Sequence, residues 1–158
     1  AFGGSMVLEL GTSAGISTMY LASAAPGIKV LTMEGCTSTA AVAEGSFKEA
    51  GLSSIRILKG SFDDLLPDVA AEGVVPGLVF IDGDHRRDSV LRYLDRIAAM
   101  SDSNTVVMID DIYWSREMAG AWDEIKKDDR VSATIDIFRM GIIFFRKGLS
   151  RDDYVIRY

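Results

Sequence analysis

The sequence has a single cysteine, Cys36, among 158 residues. An internal disulfide is therefore excluded, and the expectation is a reducing compartment, the cytoplasm. Basic runs are absent as well. With 17 Lys and Arg against 23 Asp and Glu, the formal net charge is −6. That balance argues against sequence-blind nucleic-acid binding, which rests on Lys and Arg neutralising phosphates. No apolar stretch reaches the length of a membrane span, and no secretory apolar segment opens the chain. Repeats, linkers and low-complexity segments are missing. Two nucleotide signatures are missing too. A dinucleotide fingerprint needs G-x-G-x-x-G, but if Gly11 is the first glycine, Ser13 and Ile16 stand at the next two positions. A phosphate-binding P-loop ends in Gly-Lys-Ser/Thr, and no lysine occurs in this stretch.

What is present fits one globular domain over residues 1–158, since 48% hydrophobic and 25% charged residues are enough for a sizeable core. Residues 6–10, Met-Val-Leu-Glu-Leu, form an apolar run that reads as a buried strand. Gly11 and Gly15 break it, and residues 16–24 read as a helix. Such a corner lets backbone approach a ligand closely and offers unpaired N–H groups at the helix start. Further strands are expected at 29–33, 55–59, 77–81 and 105–109. Helices are expected at 38–50, 62–71, 88–100 and 115–127, with Leu91, Leu94, Ile97 and Ala98 at helical spacing. This alternation predicts a parallel sheet covered on both faces. Residues 131–138 and 141–146 are separated by a tight connection only, so that pair is expected to be antiparallel.

In open α/β sheets, ligands sit beyond the carboxyl ends of the strands. Here those ends carry Glu9, Glu34, Gly60-Ser61, Asp82 and Asp110-Asp111. An acid at Glu9 would repel a pyrophosphate and suits a ligand with a cationic end. Glu34, 19 residues beyond Gly15, is spaced to accept hydrogen bonds from both ribose hydroxyls. The alternatives are that Glu34 is a solvated loop acid, that Asp111 caps the helix near Ser115, and that Phe62 is plain core. His85 is the only histidine, three residues after Asp82. An imidazole is the usual general base for a substrate hydroxyl, so His85 could take its proton, or it is simply structural.

The segment Glu9-x-Gly11-Thr12-Ser13-x-Gly15 resembles motif I of the class I S-adenosylmethionine-dependent methyltransferases. The segments Val79-Phe80-Ile81-Asp82-Gly83-Asp84-His85 and Val107-Met108-Ile109-Asp110-Asp111-Ile112-Tyr113-Trp114 resemble their cation-dependent small-molecule O-methyltransferases. That group includes the catechol, caffeoyl-coenzyme A and macrocin types. The resemblance covers Val7 to Lys147. It implies a Rossmann-like seven-stranded mixed α/β sheet in the order 3-2-1-4-5-7-6, strand 7 antiparallel, with helices on both faces. It implies S-adenosylmethionine held by Glu9, Gly11, Thr12, Ser13, Gly15, Glu34, Gly35, Gly60, Ser61, Phe62 and Asp82. It further implies Mg²⁺ or another divalent cation on Asp82, Asp110 and Asp111. His85 stands where catechol-type enzymes carry a catalytic lysine, a departure from the family pattern, and is read with Asp82 as catalytic from its place beside the acids. The catechol-type enzymes have Asp-Asn where this chain has Asp110-Asp111, and macrocin-type members have Asp-Asp.

The implied reaction is methyl transfer to a small-molecule acceptor, at a hydroxyl oxygen, with no nucleic-acid or membrane partner and with a homodimer as the family habit. The chain begins at Ala1 and enters its first strand at once. The expectation is therefore either that the helices which usually precede that strand are lacking or that the chain is a piece of a longer one. Two other classes stay open at this point: a non-catalytic nucleoside-binding module and an NAD-dependent oxidoreductase.

Overall fold

The computed structural model describes residues 6–25, 27–146, 148 and 151–157. Lys147, where the family resemblance ends, lies outside them. The elements alternate as the hydrophobic pattern requires: β1 (Met6–Leu10), α1 (Ile16–Ser23), β2 (Lys29–Glu34), α2 (Thr37–Glu49), β3 (Ile55–Lys59), α3 (Phe62–Ala71), β4 (Leu78–Ile81), α4 (Arg87–Met100), β5 (Val106–Ile109), α5 (Arg116–Ile125), β6 (Ala133–Asp136), β7 (Gly141–Phe144) and β8 (Asp152–Val155).

The strands form a single sheet in the order β3-β2-β1-β4-β5-β7-β6-β8. The first five are parallel, and β7 runs antiparallel to both β5 and β6. The expected seven-strand order is present within it. The addition is β8, which pairs parallel with β6 at the sheet edge. Its segment escapes sequence reading because all four of its residues are exposed. Burial is what writes alternation into a strand, and an edge strand open on both faces carries none.

Helices cover the sheet unequally. On the face of α3, α4 and α5, one large core joins Leu8, Leu10, Met33, Val79, Ile81, Val107 and Ile109 to Leu66, Leu94, Ile97, Met118 and Trp122. Each fully buried aliphatic side chain there contributes about 1.5–3 kcal/mol of transfer free energy. The opposite face has a smaller cluster of Val7, Ala22 and Val30, flanked by Leu21, Ile28 and Ile55. Two local details show how the sequence secures the helices. Ser61 caps α3 by accepting from the Asp64 N–H at 3.2 Å, and Ser115 caps α5 by accepting from the Met118 N–H at 3.1 Å. Pro67, inside α3, has no N–H for the carbonyl four residues back. That carbonyl belongs to Asp63, and Arg96 of α4 donates to it at 2.9 Å, tying the two helices together.

Candidate functional site

Chain order reverses between β1 and β4, and the site lies at that switch point, beyond the carboxyl ends of the strands. The loop after β1 is folded back tightly. The Gly11 and Thr12 N–H groups both donate to the Met33 carbonyl at 3.1 Å. Gly11 has φ +110, and a Cβ built on it would stand 2.0 Å from the Asp82 carbonyl oxygen. Glycine is required there so that the β1 and β4 loops can touch. Gly15 has φ +86, and its Cβ would meet the Phe47 ring at 2.5 Å, so α1 and α2 approach each other through it.

Glu34, ending β2, has both carboxylate oxygens engaged. One accepts the Ser13 N–H at 2.9 Å and the other the Cys36 N–H at 2.8 Å. A carboxylate has about four acceptor positions, so Glu34 holds the two loops together and keeps lone pairs for a ligand. Gly35 lies between these contacts, and the Gly60 N–H donates to the Glu34 carbonyl at 3.0 Å. The Cys36 thiol is exposed, and hydrogen bonds from Ser38 and Thr39 lower its pKa to about 7.

Glu9 is fully buried, one residue before the end of β1. Its Oε2 accepts from the Thr18 hydroxyl at 2.5 Å and the Thr32 hydroxyl at 2.6 Å, and Thr12 meets Thr32 at 2.6 Å. Glu9 and Thr12 thus belong to a buried hydroxyl network beneath the glycine loop. Burial raises the Glu9 pKa above its ordinary value, against the opposing pull of the Thr18, Thr32 and Ser17 hydroxyls. Its Oε1 has no hydrogen-bond partner among the described residues. Ser61 is used as a helix cap and donates to the Asp64 carboxylate at 2.6 Å. Phe62 is half-buried, packs edge-on against Tyr93 with centroids 5.5 Å apart, and lies beneath Gly83.

The other half of the edge gathers acids. Asp82 follows β4, and its pKa is raised first by burial and then by Asp110, with a smaller push from Asp111 and a lowering by His85. His85 Nε2 stands 3.7 Å from Asp82 Oδ1, and its ring lies 6.4 Å from the exposed Trp114 ring. Asp110 accepts the Asp111 N–H at 2.9 Å. Asp111 adopts φ +53, and its carboxylate accepts from the Arg139 guanidinium at 3.0 Å. The β6–β7 turn brings Arg139 there, because the Arg139 carbonyl accepts the Ile112 N–H at 3.0 Å. Tyr113 donates to Asp136, which raises the phenol pKa to about 12. Asp84 is turned away. Arg86 holds its pKa at about 2, and Tyr93 donates to it at 2.9 Å.

The predicted residues therefore converge on one edge, although Ser61 is committed to its helix and Thr12 to the buried network. Among the described residues, no group of three or more His, Cys, Asp and Glu is arranged to hold a metal ion. Sequence reading missed Arg139: a lone arginine in a hairpin turn has no signal, and only the β5–β7 pairing brings it to Asp111. A cavity of about 650 Å³ lined by Arg130, Phe145, Arg146 and Arg151 opens at the opposite end of the sheet and takes in none of the predicted residues. No helix of the described residues is long and apolar enough to cross a membrane.

Sheet order, glycine corner and acidic strand ends define a class I methyltransferase fold. A family described as a methyltransferase domain matches residues 8–112, more than half of the chain, and the chain belongs to it. A catechol O-methyltransferase of Niastella koreensis is 35% identical over 109 residues, covering 67% of this chain and 48% of the relative. One from Mycobacterium tuberculosis is 32% identical over 108 residues, covering 67% and 47%. This chain thus spans about half the length of these curated relatives. Among solved structures, an O-methyltransferase from Bacillus cereus in complex with SAH superimposes with a TM-score of 0.77 at 22% identity, covering 90% of this chain and 75% of that one. The family match sets aside the NAD-dependent oxidoreductase.

Proposed function

We propose that this chain is the cofactor-binding domain of an S-adenosylmethionine-dependent O-methyltransferase acting on a hydroxyl of a small molecule. The observation that carries the reading is Glu34, pinned by the Ser13 and Cys36 N–H groups at the switch point, beside the Asp82–His85 pair. The relatives named catechol O-methyltransferase support the acceptor atom.

In this reading the free lone pairs of Glu34 accept the ribose hydroxyls, and the tight Gly11 turn lets backbone lie against the nucleoside. His85 turns Nε2 toward Asp82, which leaves Nδ1 to take the proton of the acceptor hydroxyl. Asp82 holds the imidazolium that results. Trp114, exposed beside His85, walls the acceptor. Asp82, Asp110 and Asp111 have the oxygen-donor chemistry of a hard divalent cation, and Asp110 and Asp111 raise the pKa of Asp82, although the three are not gathered as a ligand group here. These residues would hold the ion, Asp111 after exchanging Arg139 for it. When bound, S-adenosylmethionine supplies an activated methyl carbon, and the cation supplies a Lewis acid that lowers the pKa of the acceptor oxygen.

The test is a calorimetric titration of S-adenosylhomocysteine into the chain, with and without Mg²⁺. Binding at micromolar strength is expected, weakened at least about tenfold in Glu34→Ala by the lost charge-assisted bonds. If wild-type chain takes up no S-adenosylhomocysteine, or Glu34→Ala binds it as well as wild type, the reading fails. Turnover with S-adenosylmethionine and a catechol should then fall in His85→Ala while S-adenosylhomocysteine affinity is unchanged.

A further inference from the structure

Among the described residues, β8 bonds to β6 on one side only and is the last strand in the sheet order. The Asp152 N–H donates to the Ser132 carbonyl at 3.4 Å, and the Ile156 N–H donates to the Asp136 carbonyl at 2.8 Å. In a parallel ladder, bonding directions alternate along the strand. Residues 152, 154 and 156 therefore direct their main-chain groups to β6, and Asp153, Val155 and Arg157 direct theirs outward. That outward row is a ready template for another strand.

The side chains on this edge are unusual for an exposed strand. Tyr154 is 53% exposed, Val155 63% and Ile156 50%, three large apolar residues in succession. Natural edge strands are blunted by short length, charged side chains, proline or a bulge; β8 is four residues long and carries Asp152 and Asp153, with Arg157 just beyond, but no lysine or proline breaks the apolar run between them. Arg157 has no ion-pair partner among the described residues.

We propose that β8 pairs antiparallel with β8 of a second copy, on a two-fold axis through Val155, to make one continuous sheet across the dimer. The register follows from the bonding directions. Outward-facing residues must meet outward-facing residues, so the allowed two-fold registers place Asp153, Val155 and Arg157 against one another. Centring on Val155 sets Asp153 opposite Arg157 of the other copy at both ends, and Tyr154 opposite Ile156. Centring on Tyr154 or on Asp153 would leave Arg157 unpaired, and the latter would set two Asp153 carboxylates face to face. Only the Val155 register gives opposite charges at both ends and apolar pairs between them, which are the cross-strand pairs that stabilise a sheet. It is also isologous, as a two-fold contact must be. Asp153 already accepts from the Thr134 hydroxyl at 2.6 Å, so its carboxylate is held in place for the partner arginine.

Sedimentation velocity over a wide concentration range tests this on the full 158-residue chain. Wild type is expected to show a concentration-dependent monomer–dimer equilibrium. Arg157→Asp, an exposed change that sets like charges opposite each other, should weaken the dimer about tenfold or more. Asp153→Arg combined with Arg157→Asp should restore it. Val155→Pro removes the outward N–H at the centre without touching the β6 ladder and should abolish it. Val155→Cys should give a disulfide-linked dimer on oxidation, and Tyr154→Cys, which faces Ile156 rather than itself, should not. A monomer at every concentration overturns the proposal. So does a dimer indifferent to Arg157→Asp, whether copies then meet on another face or the edge takes a different segment.

Discussion

The two halves of the carboxyl edge treat their acids in opposite ways. Around β1 and β2 the chain satisfies them itself: Glu34 holds two backbone N–H groups and Glu9 two threonine hydroxyls. Around β4 and β5 the acids repel one another. Asp82 meets His85 at 3.7 Å, and Asp111 depends on an arginine from a distant turn. The first half has its acceptors fixed in place, which is what the proposed nucleoside site asks of it. The second is left short of positive charge, the condition under which a cation or a proton is taken up. A buried polar group satisfied by its own chain costs little, whereas crowded carboxylates are a stored preference for a ligand.

The pre-organised half is the more fragile. Gly11→Ala puts a Cβ 2.0 Å from a backbone carbonyl in a conformation that side chains disfavour. A destabilisation of at least about 3 kcal/mol is expected, with loss of S-adenosylhomocysteine binding. Gly35→Ala in the same half is the control. Its Cβ meets nothing closer than the Gly60 carbonyl at 3.9 Å, so unfolding by urea should change by less than about 1 kcal/mol. Equal losses in the two variants would show that loop rigidity in general, rather than the β1–β4 contact, holds this half together.

The acid half should respond to charge rather than shape. Arg139→Gln removes the guanidinium from Asp111 while keeping a hydrogen-bonding side chain. Mn²⁺ affinity, followed by calorimetry, is expected to rise about tenfold, equivalent to about 1.4 kcal/mol. S-adenosylhomocysteine affinity should stay the same, because Glu34 lies in the other half. An unchanged Mn²⁺ affinity would mean that Arg139 is a structural tie and that the acids do not gather around an ion.

The halves also differ in how legible they are from local sequence. The glycine corner was readable because Gly11 and Gly15 break an apolar run at a point where backbone must turn, and glycine serves that need best. Glu34 was readable from its distance beyond Gly15. Asp82, Asp110 and Asp111 were readable as strand ends, since β4 and β5 are continuous apolar runs that stop at an acid. The inward turn of Thr12 was not readable, because a threonine beside a glycine loop serves a ligand or a buried hydroxyl chain equally well. Ser61 is similar: Ser-x-x-Asp is a cap signature as much as a ligand contact, and here the Asp64 N–H claims the hydroxyl. Arg139 and β8 depend on pairings between segments far apart in sequence, which local periodicity does not encode.

Glu9 gives the smallest and most discriminating contrast, since it lies in the satisfied half but keeps one oxygen, Oε1, without a hydrogen-bond partner among the described residues. Burial raises its pKa in the folded protein above the ordinary 4.5. Between that value and the raised one, the folded chain binds the proton more tightly than the unfolded chain, so stability falls as pH rises through this window and the penalty is full above it. Glu9→Gln keeps an oxygen for Thr18 and Thr32 and removes the charge. It should therefore melt a few degrees higher than wild type near pH 8, with the advantage vanishing near pH 4, where wild-type Glu9 is itself neutral. A buried carboxylate with one oxygen left unpaired carries a stability cost, and a ligand site is where such a cost is offset. The same variant should accordingly bind S-adenosylhomocysteine less tightly while being more stable. Greater stability with undiminished affinity would instead make Glu9 a scaffold residue, and would leave Glu34 as the acid of this half that meets the nucleoside.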